Sequence, residues 1–157
     1  MNVNYINEDF QFNLRTSALI FNKSQDKVLL FKVKDRDFYL LPGGRVEELE
    51  KSIDAIKREI VEELGEEYSN LNYKYICTSE EFANSKGYNN HQINIIYKTI
   101  YDREIKENVF NGLEGEWIIF EWIDIKNIDD VNIYPSKIKE IIKYNNVNHI
   151  VEDLIRK

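Results

Sequence analysis

Residues 44–66 of the 157-residue chain, GRVEELEKSIDAIKREIVEELGE, decide the fold. The second half of this stretch predicts a helix that begins with Ser52 as N-cap and ends near Leu64, with Gly65 in the left-handed conformation that closes helices. Apolar residues recur at helical spacing on one side of the predicted helix: Ile53, Ile56, Ile60 and Leu64. We expect that side to pack and the adjacent side to stay polar.

The polar side of the predicted helix carries three glutamates, Glu59, Glu62 and Glu63. Spacings of three and four residues place their carboxylates on one helical face, where like charges repel each other. A bound cation would remove that repulsion, and oxygen ligands alone favour Mg²⁺, with Mn²⁺ as a substitute, over zinc. A solvated acidic face without any ligand is the common alternative.

The length and composition of the chain favour a single domain spanning 1–157. The hydrophobic fraction of 43% supplies a real core, and no apolar run approaches the length of a membrane span. The first ten residues, MNVNYINEDF, lack the basic and apolar parts of a signal peptide. Together with the single Cys77, they predict a reducing, cytoplasmic setting without a membrane partner.

The formal net charge of −7 argues against a nucleic-acid partner, because such affinity comes mostly from Lys and Arg that meet phosphate. A small anionic substrate stays compatible with this charge. It would need a bound divalent cation between its own negative charge and the acidic site.

Strand and turn patterns surround the helix. Residues 14–21 and 28–33 predict a hairpin, and 38–41 a further strand that Pro42 and two glycines end in a tight turn. Two glycines after a proline indicate that the backbone comes close to another group there.

Beyond the helix the pattern predicts more strands and a second helix. Three segments are strand candidates: 71–78, 91–101 and 117–125. The polar segment 79–90 predicts a loop that suits a substrate lid, 135–144 predicts a helix, and 147–157 predicts a short helix or a frayed end. The sum is an α/β fold with a mixed sheet sandwiched by helices.

Fixed residues around the acidic face give it a recognisable pattern. Gly44, five residues, Glu50, seven residues, Arg58-Glu59-Ile60, one residue, Glu62-Glu63, one residue and Gly65 together resemble the signature of the Nudix (MutT-like) hydrolases. Only the last position departs from it, because Glu66 stands where the family usually has an aliphatic residue. The resemblance implies the family's α/β/α sandwich with a mixed β-sheet across most of the chain.

The resemblance also implies roles for individual residues. Metal ligands would be Glu59, Glu62 and Glu63, together with the backbone carbonyl of Gly44, while Glu50 and Arg58 would orient the helix. The implied reaction is attack of water on one phosphorus of a diphosphate linkage, assisted by magnesium. For the base that removes the proton, Glu62 and Glu63 are the first candidates and Glu116 and Glu114 the second.

Other polar and aromatic residues are weaker candidates. Arg15 is the best of the basic residues that could bind substrate phosphates, ahead of Lys32 and Lys34, although strand-borne basic residues are more often simply exposed. Four aromatic residues could stack on a base, but a core role is the ordinary expectation for each: Tyr39, Phe82, Tyr88 and Tyr97. We expect structural or surface roles for His91 and His149 and burial for Cys77.

The resulting hypothesis is a Mg²⁺-dependent pyrophosphohydrolase that acts on a small nucleoside diphosphate linked to another group. The class includes nucleoside triphosphates, ADP-ribose, nucleotide sugars and dinucleoside polyphosphates. The alternative is a non-catalytic nucleotide-binding or regulatory domain of the same fold. Many members of this family are dimers, so a homodimer stays open.

Overall fold

Nine strands of the chain form one mixed β-sheet. The computed structural model describes residues 1–85, 87–144 and 148–156. The strands are β1 (Asn4–Ile6), β2 (Phe10–Asn22), β3 (Lys27–Val33), β4 (Gly43–Arg45), β5 (Lys74–Ser85), β6 (Tyr88–Tyr101), β7 (Val109–Gly112), β8 (Gly115–Asp124) and β9 (His149–Asp153). Their order in the sheet is β7-β8-β3-β2-β6-β5-β9, and β1 and β4 pair with β2.

Strand β2 organises the sheet because both of its edges are used. It runs parallel to β6 along its whole length, while its other edge pairs in turn with β1, β4 and β3, all antiparallel. The second parallel pair joins β5 and β9. The predicted hairpin of β2 and β3 is confirmed, and the gap between them at their open end holds β4.

Helices cover both faces of the sheet and enclose two cores. Helix α1 (Ser52–Leu64) packs Ile56, Ile60 and Leu64 against one face. The other face packs against α2 (Ile138–Tyr144) and a 3-10 helix at Ile125–Asp130. Apolar side chains thus fill both sides of the central strands, as the predicted sandwich requires.

The bounds of α1 are confirmed, but its ends differ in detail from the prediction. Lys51, not Ser52, is the N-cap residue, and the Ser52 hydroxyl instead shares a 2.7 Å hydrogen bond with the Tyr97 hydroxyl. Gly65 ends the helix with a φ of 102° and a ψ of 175°, which is not the left-handed helical conformation, while its N–H donates to Val61 O. The predicted apolar stripe packs as expected, and Glu63 is buried beside it.

The predicted loop and lid at 79–90 are wrong. Residues 79–85 and 88–90 belong to the antiparallel strands β5 and β6, in which Glu81 pairs with Gln92 and Phe82 pairs with His91. The segment is polar over most of its length and lacks the regular apolar alternation that predicts a half-buried strand. Phe82 and Tyr88 therefore lie on strands and not in a lid.

Three further predictions are wrong. The segment 147–157 is neither helical nor frayed where it is described, because 149–153 form β9 against β5; Val147 and Lys157 lie outside the described residues. Gly43 and Gly44 form the short strand β4, not a turn, and residues 38–41 make only isolated bridges. The second helix begins at Ile138, after the cis peptide bond between Tyr134 and Pro135.

Helices of the described residues are all too short or too polar to cross a bilayer. Cys77 is buried, as expected, in the core beneath α2.

Candidate active site

Arg58, in the middle of the acidic helix α1, forms a charged clamp with Glu50 and the Arg45 carbonyl, which both precede the helix. Arg58 donates from Nε to Glu50 Oε1 at 2.9 Å and from Nη2 to Glu50 Oε2 at 3.0 Å. The same Nη2 donates to the carbonyl of Arg45 at the end of β4. These hydrogen bonds raise the pKa of Arg58 and lower the pKa of Glu50, so both groups stay charged. The clamp fixes α1 relative to β4.

Arg58 also contacts two of the three predicted metal ligands. Its Nη1 donates to Glu59 Oε1 at 2.8 Å and lies 3.4 Å from Glu62 Oε2. Burial raises the pKa of Glu59, and the hydrogen bond from Arg58 acts against that rise. The Glu62 side chain is about half exposed, at 54%. Arg58 thus supplies part of the positive charge that the acidic face needs.

Glu63 is the least satisfied of the three carboxylates. Its Oε2 is buried and has no hydrogen-bond partner among the residues that the structure describes. Burial raises the pKa of Glu63 to about 8, the charge of Arg15 opposes this, and the nearby charges of Glu59 and Glu114 increase it. A buried carboxylate among other acids is costly to ionise unless a cation joins it.

The two glycines of β4 allow close approach on both sides. A Cβ atom on Gly43 would lie 2.1 Å from the carbonyl oxygen of Thr16 on β2, at a φ of 151°. A Cβ atom on Gly44 would lie 2.1 Å from the Glu59 carboxylate. The sequence-based expectation of close backbone approach at this pair is therefore confirmed, and only glycine lets Glu59 rest against the β4 backbone.

The donor set fits a hard cation in its chemistry, but its side chains are not drawn together. Within 1–85, 87–144 and 148–156, no three acidic, His or Cys side chains converge closely enough to hold a metal as they stand. The contacts to Arg58 account for this, since they engage Glu59 and Glu62 while Glu63 points inward. The unpartnered Glu63 oxygen and the bare Gly44 backbone beside Glu59 are the places where a cation would find free oxygen ligands.

Of the two acids near the turn between β7 and β8, Glu114 is the one that reaches the site. Its charge contributes to the raised pKa of Glu63, and the neighbouring Leu113 N–H donates to the Glu63 carbonyl at 3.0 Å. Glu116 lies on β8 with an exposed side chain and shows no such effect.

Arg15 is the basic residue that the fold brings to the site. It lies on β2, donates from Nη2 to the carbonyl of Leu41 at 3.4 Å, and influences Glu59, Glu63 and Glu81 by its charge. Lys32, by contrast, lies over the ring of Tyr39 at 5.4 Å.

The structure adds two buried acids that sequence reasoning missed, Glu81 and Glu152, and Glu81 is the one that shares a cavity with Arg15. Glu81 on β5 is 3% exposed and lines a cavity together with Arg15, Gln92 and Tyr134. Burial raises the pKa of Glu81 to about 7, against the opposing effects of Gln92 and Arg15. The alternation from Gln92 to Ile95 could have shown that a strand lies here, but not that its polar side faces inward.

Comparisons with known proteins settle the family. The NUDIX domain family matches residues 12–143. The chain belongs to the Nudix family. The predictions of a Nudix hydrolase and of the Nudix α/β/α sandwich are thereby confirmed at the level of family and fold.

Relatives of the Nudix chain include a curated yeast protein and several solved structures. The m7GpppN-mRNA hydrolase of Saccharomyces cerevisiae is 29% identical over 122 residues, which cover 78% of this chain but only 12% of the yeast protein. The MutT protein of Bacillus halodurans superposes with a TM-score of 0.62 at 18% identity, covering 88% of this chain and 85% of the other. The dihydroneopterin triphosphate pyrophosphohydrolase of E. coli superposes with a TM-score of 0.63 at 19% sequence identity. The match covers 83% of this chain and 92% of the E. coli chain.

Proposed function

We propose that this Nudix protein is a Mg²⁺-dependent pyrophosphohydrolase that cleaves the diphosphate linkage of a small nucleoside diphosphate derivative. The observation that carries the proposal is the buried Oε2 of Glu63, which has no hydrogen-bond partner among the described residues and belongs to a carboxylate that lies with Glu59 beside the β4 glycines. Such a cluster of acids would bind a divalent cation, and the arginine beside it would bind a phosphate attached to that cation.

In this proposal Glu59, Glu62 and Glu63 hold Mg²⁺ together with the Gly44 carbonyl. The bound ion would neutralise phosphate charge and lower the pKa of the attacking water. Binding requires Glu59 and Glu62 to exchange some of their contact with Arg58 for the ion, while Arg58 stays attached to Glu50 through two hydrogen bonds. Arg58 and Glu50 are therefore positioning residues, and Arg15 binds a substrate phosphate.

Proton removal from the attacking water is assigned to a carboxylate. Glu62 is half exposed and Glu63 is buried, and both stay candidates. The turn between β7 and β8 supplies Glu114 as a third candidate, in place of the outward-facing Glu116, because Glu114 acts on Glu63.

The names of relatives bear on the substrate class. The yeast relative is named as an mRNA cap hydrolase and the E. coli neighbour as a pyrophosphohydrolase of a triphosphate. Each of these substrates contains a phosphoanhydride, so we infer that the substrate of this chain contains one as well.

The test is hydrolysis of a panel in the presence of Mg²⁺: nucleoside triphosphates, ADP-ribose, nucleotide sugars and dinucleoside polyphosphates. We expect product from at least one of them and none after chelation of the metal. Thermal unfolding gives an independent measurement, since Mg²⁺ that binds the folded state raises Tm, and Glu63→Gln should abolish that rise. Nucleotide binding without any turnover would instead support the regulatory-domain alternative.

A further inference from the structure

A ladder of polar side chains crosses the sheet on the face that carries Arg15. Gln92 on β6 pairs with Asn13 on β2 on one side and with Glu81 on β5 on the other. Glu81 in turn pairs with Glu152 on β9. Residues in register across a sheet point to the same face, so four adjacent strands each contribute one polar side chain to a single row.

Several buried polar atoms at this ladder are unsatisfied. Glu81 Oε2, Asn94 Oδ1 and Ser79 Oγ have no hydrogen-bond partner in the part of the chain that the structure describes. All three residues are at most 3% exposed, and Asn94 and Ser79 face each other in the next row of the sheet. When Glu81 is ionised, two of these atoms, the carboxylate and amide oxygens, only accept hydrogen bonds, so a complementary ligand must bring N–H or O–H donors.

The space beside these atoms can hold a ring system. Glu81 lines a cavity of about 540 Å³ and a smaller one of about 220 Å³, and both are also lined by Leu40, Gln92 and Tyr134. The shared walls make the two cavities neighbours. The volume of the larger cavity falls in the range of small-molecule sites, and Leu40 and Tyr134 add apolar and aromatic surface to the polar floor.

Arg15 connects this space to the acidic helix. It lines the smaller cavity together with Glu81, and on β2 it pairs with Arg45, whose neighbour Gly44 lies against the Glu59 carboxylate. A substrate whose phosphates meet Arg15 and the helix glutamates therefore extends its organic group toward Glu81.

We propose that Glu81 is a specificity-determining residue that accepts hydrogen bonds from the N–H edge of a guanine-type heterocycle carried by the substrate. Guanine presents two adjacent donors, a ring N–H and an exocyclic amino group, which match the two oxygens of a carboxylate. Adenine presents a ring acceptor at the corresponding position and would leave Glu81 opposed by a lone pair. This inference rests on the proposed function for the location of the phosphates, but not for the contact with the base.

The test is equilibrium binding of nucleoside monophosphates, which requires no turnover. Calorimetry would compare guanosine, inosine and adenosine monophosphate on the wild-type protein, Glu81→Gln and Glu80→Gln. The control residue Glu80 is the neighbour of Glu81 on β5, but its side chain lies on the opposite face and contacts His149. Circular dichroism would establish that all three proteins are folded.

We expect wild-type protein and Glu80→Gln to bind guanosine monophosphate about 10- to 100-fold more tightly than adenosine monophosphate, with inosine between them. Glu81→Gln should lose most of that preference. Where guanosine triphosphate is hydrolysed, the same variant should raise KM and leave kcat nearly unchanged, as a purely structural defect would not.

Equal wild-type affinity for guanosine and adenosine monophosphate, or no binding of either at millimolar concentration, would overturn the assignment. So would an unchanged preference in folded Glu81→Gln. Hydrolysis of the phosphate panel without a guanine preference would leave the proposed function intact and refute only the role of Glu81. A guanine preference without hydrolysis of any substrate would support the role of Glu81 and refute the proposed function.

Discussion

Glu63 and Glu81 are both buried carboxylates that feel the charge of Arg15, but their surroundings differ in kind. Glu63 lies on a helix among other acids, with Glu59 and Glu114 nearby. Glu81 lies on a strand among neutral polar side chains, with Gln92 and Asn94 nearby. The first environment concentrates negative charge, whereas the second places Glu81 beside amide dipoles, with the acid Glu152 in register on β9.

This difference indicates two kinds of ligand, one at the helix that carries Glu63 and one at the strand that carries Glu81. Several carboxylates together repel each other until a divalent cation arrives, so the helix end favours a metal with phosphate. Glu81 has the acid Glu152 in register on β9, but Ser136 donates to that carboxylate, so hydrogen-bond donors of an organic group are enough to satisfy Glu81. Mutations that neutralise either acid should therefore have effects of different size and kind.

The largest effect is expected at the helix end. Glu63→Gln keeps the shape of the side chain and removes the charge, so we expect hydrolysis to fall by about 10²- to 10⁴-fold while the protein stays folded. Initial rates with the best substrate of the panel would measure this. Glu66→Gln is the matched control, because Glu66 is an exposed acid just beyond the same helix. Full activity of Glu63→Gln would remove Glu63 from the site.

A smaller loss of activity is expected when the contact between Arg58 and Glu50 is weakened and every proposed metal ligand is kept. Arg58→Lys keeps the charge but cannot reproduce the two parallel hydrogen bonds to Glu50. We expect about a 10- to 100-fold loss of activity, as for other residues that orient metal ligands. The exposed Lys57 on the same helix, changed to Gln, should retain activity. Equal losses in both variants would contradict a specific role for the clamp.

Glu81 on β5 should make the free energy of unfolding depend on pH. The folded pKa of Glu81, about 7, exceeds the usual value of 4.5, so the folded protein holds a proton that the unfolded chain releases between these pH values. The free energy of unfolding therefore falls as pH rises through this window, by at most about 1.4 kcal/mol per pH unit for this group. Other ionisable groups facing Glu81 are Arg15, Tyr134 and Glu152.

Glu81→Gln removes this pH-dependent contribution. The free energy of unfolding of the variant should therefore increase relative to that of the wild type as the pH rises from about 5 to about 7.5. Denaturant titrations at several pH values would measure the difference. Glu80→Gln should follow the wild-type pH dependence. A constant difference between Glu81→Gln and wild type across that range would show that Glu81 does not hold the proton.

The smallest effects are expected at the two glycines of β4, where an added methyl group meets backbone at Gly43 and a side chain at Gly44. Gly43→Ala places a methyl group against the Thr16 backbone, so we expect a loss of more than about 1 kcal/mol in the free energy of unfolding. Gly44→Ala meets the movable Glu59 side chain instead. It should cost less stability but displace Glu59 and reduce activity. Equal stability losses at both positions would contradict this distinction.

Sequence reasoning succeeded where structure depends on local pattern. The bounds of α1 follow from the spacing of Ile56, Ile60 and Leu64, and the contact between Glu50 and Arg58 follows from a signature of fixed spacing. The close approach at Gly44 could be predicted for the same reason. Each of these features depends on residues that are near one another in the chain.

The failures involve partners that are distant in sequence. Glu81 is buried because β6 and the segment around Tyr134 enclose it, and nothing in its own neighbourhood indicates this. β4 is extended because the edge of β2 is free to pair with it. β9 exists because β5 offers an edge, and the polar residues of both strands concealed that pairing.

The parallel pairing of β2 with β6 joins residues that are 79 positions apart, from Phe10 with Asn89 onward. Such distant contacts form slowly, because a long loop must close before they contribute. Helix α1 and its glutamates can form while the chain is still short, whereas Arg15 meets Asn94 only after β6 has left the ribosome. The polar row around Glu81 also includes Glu152 of β9, so it is completed only after β9 has been synthesised as well.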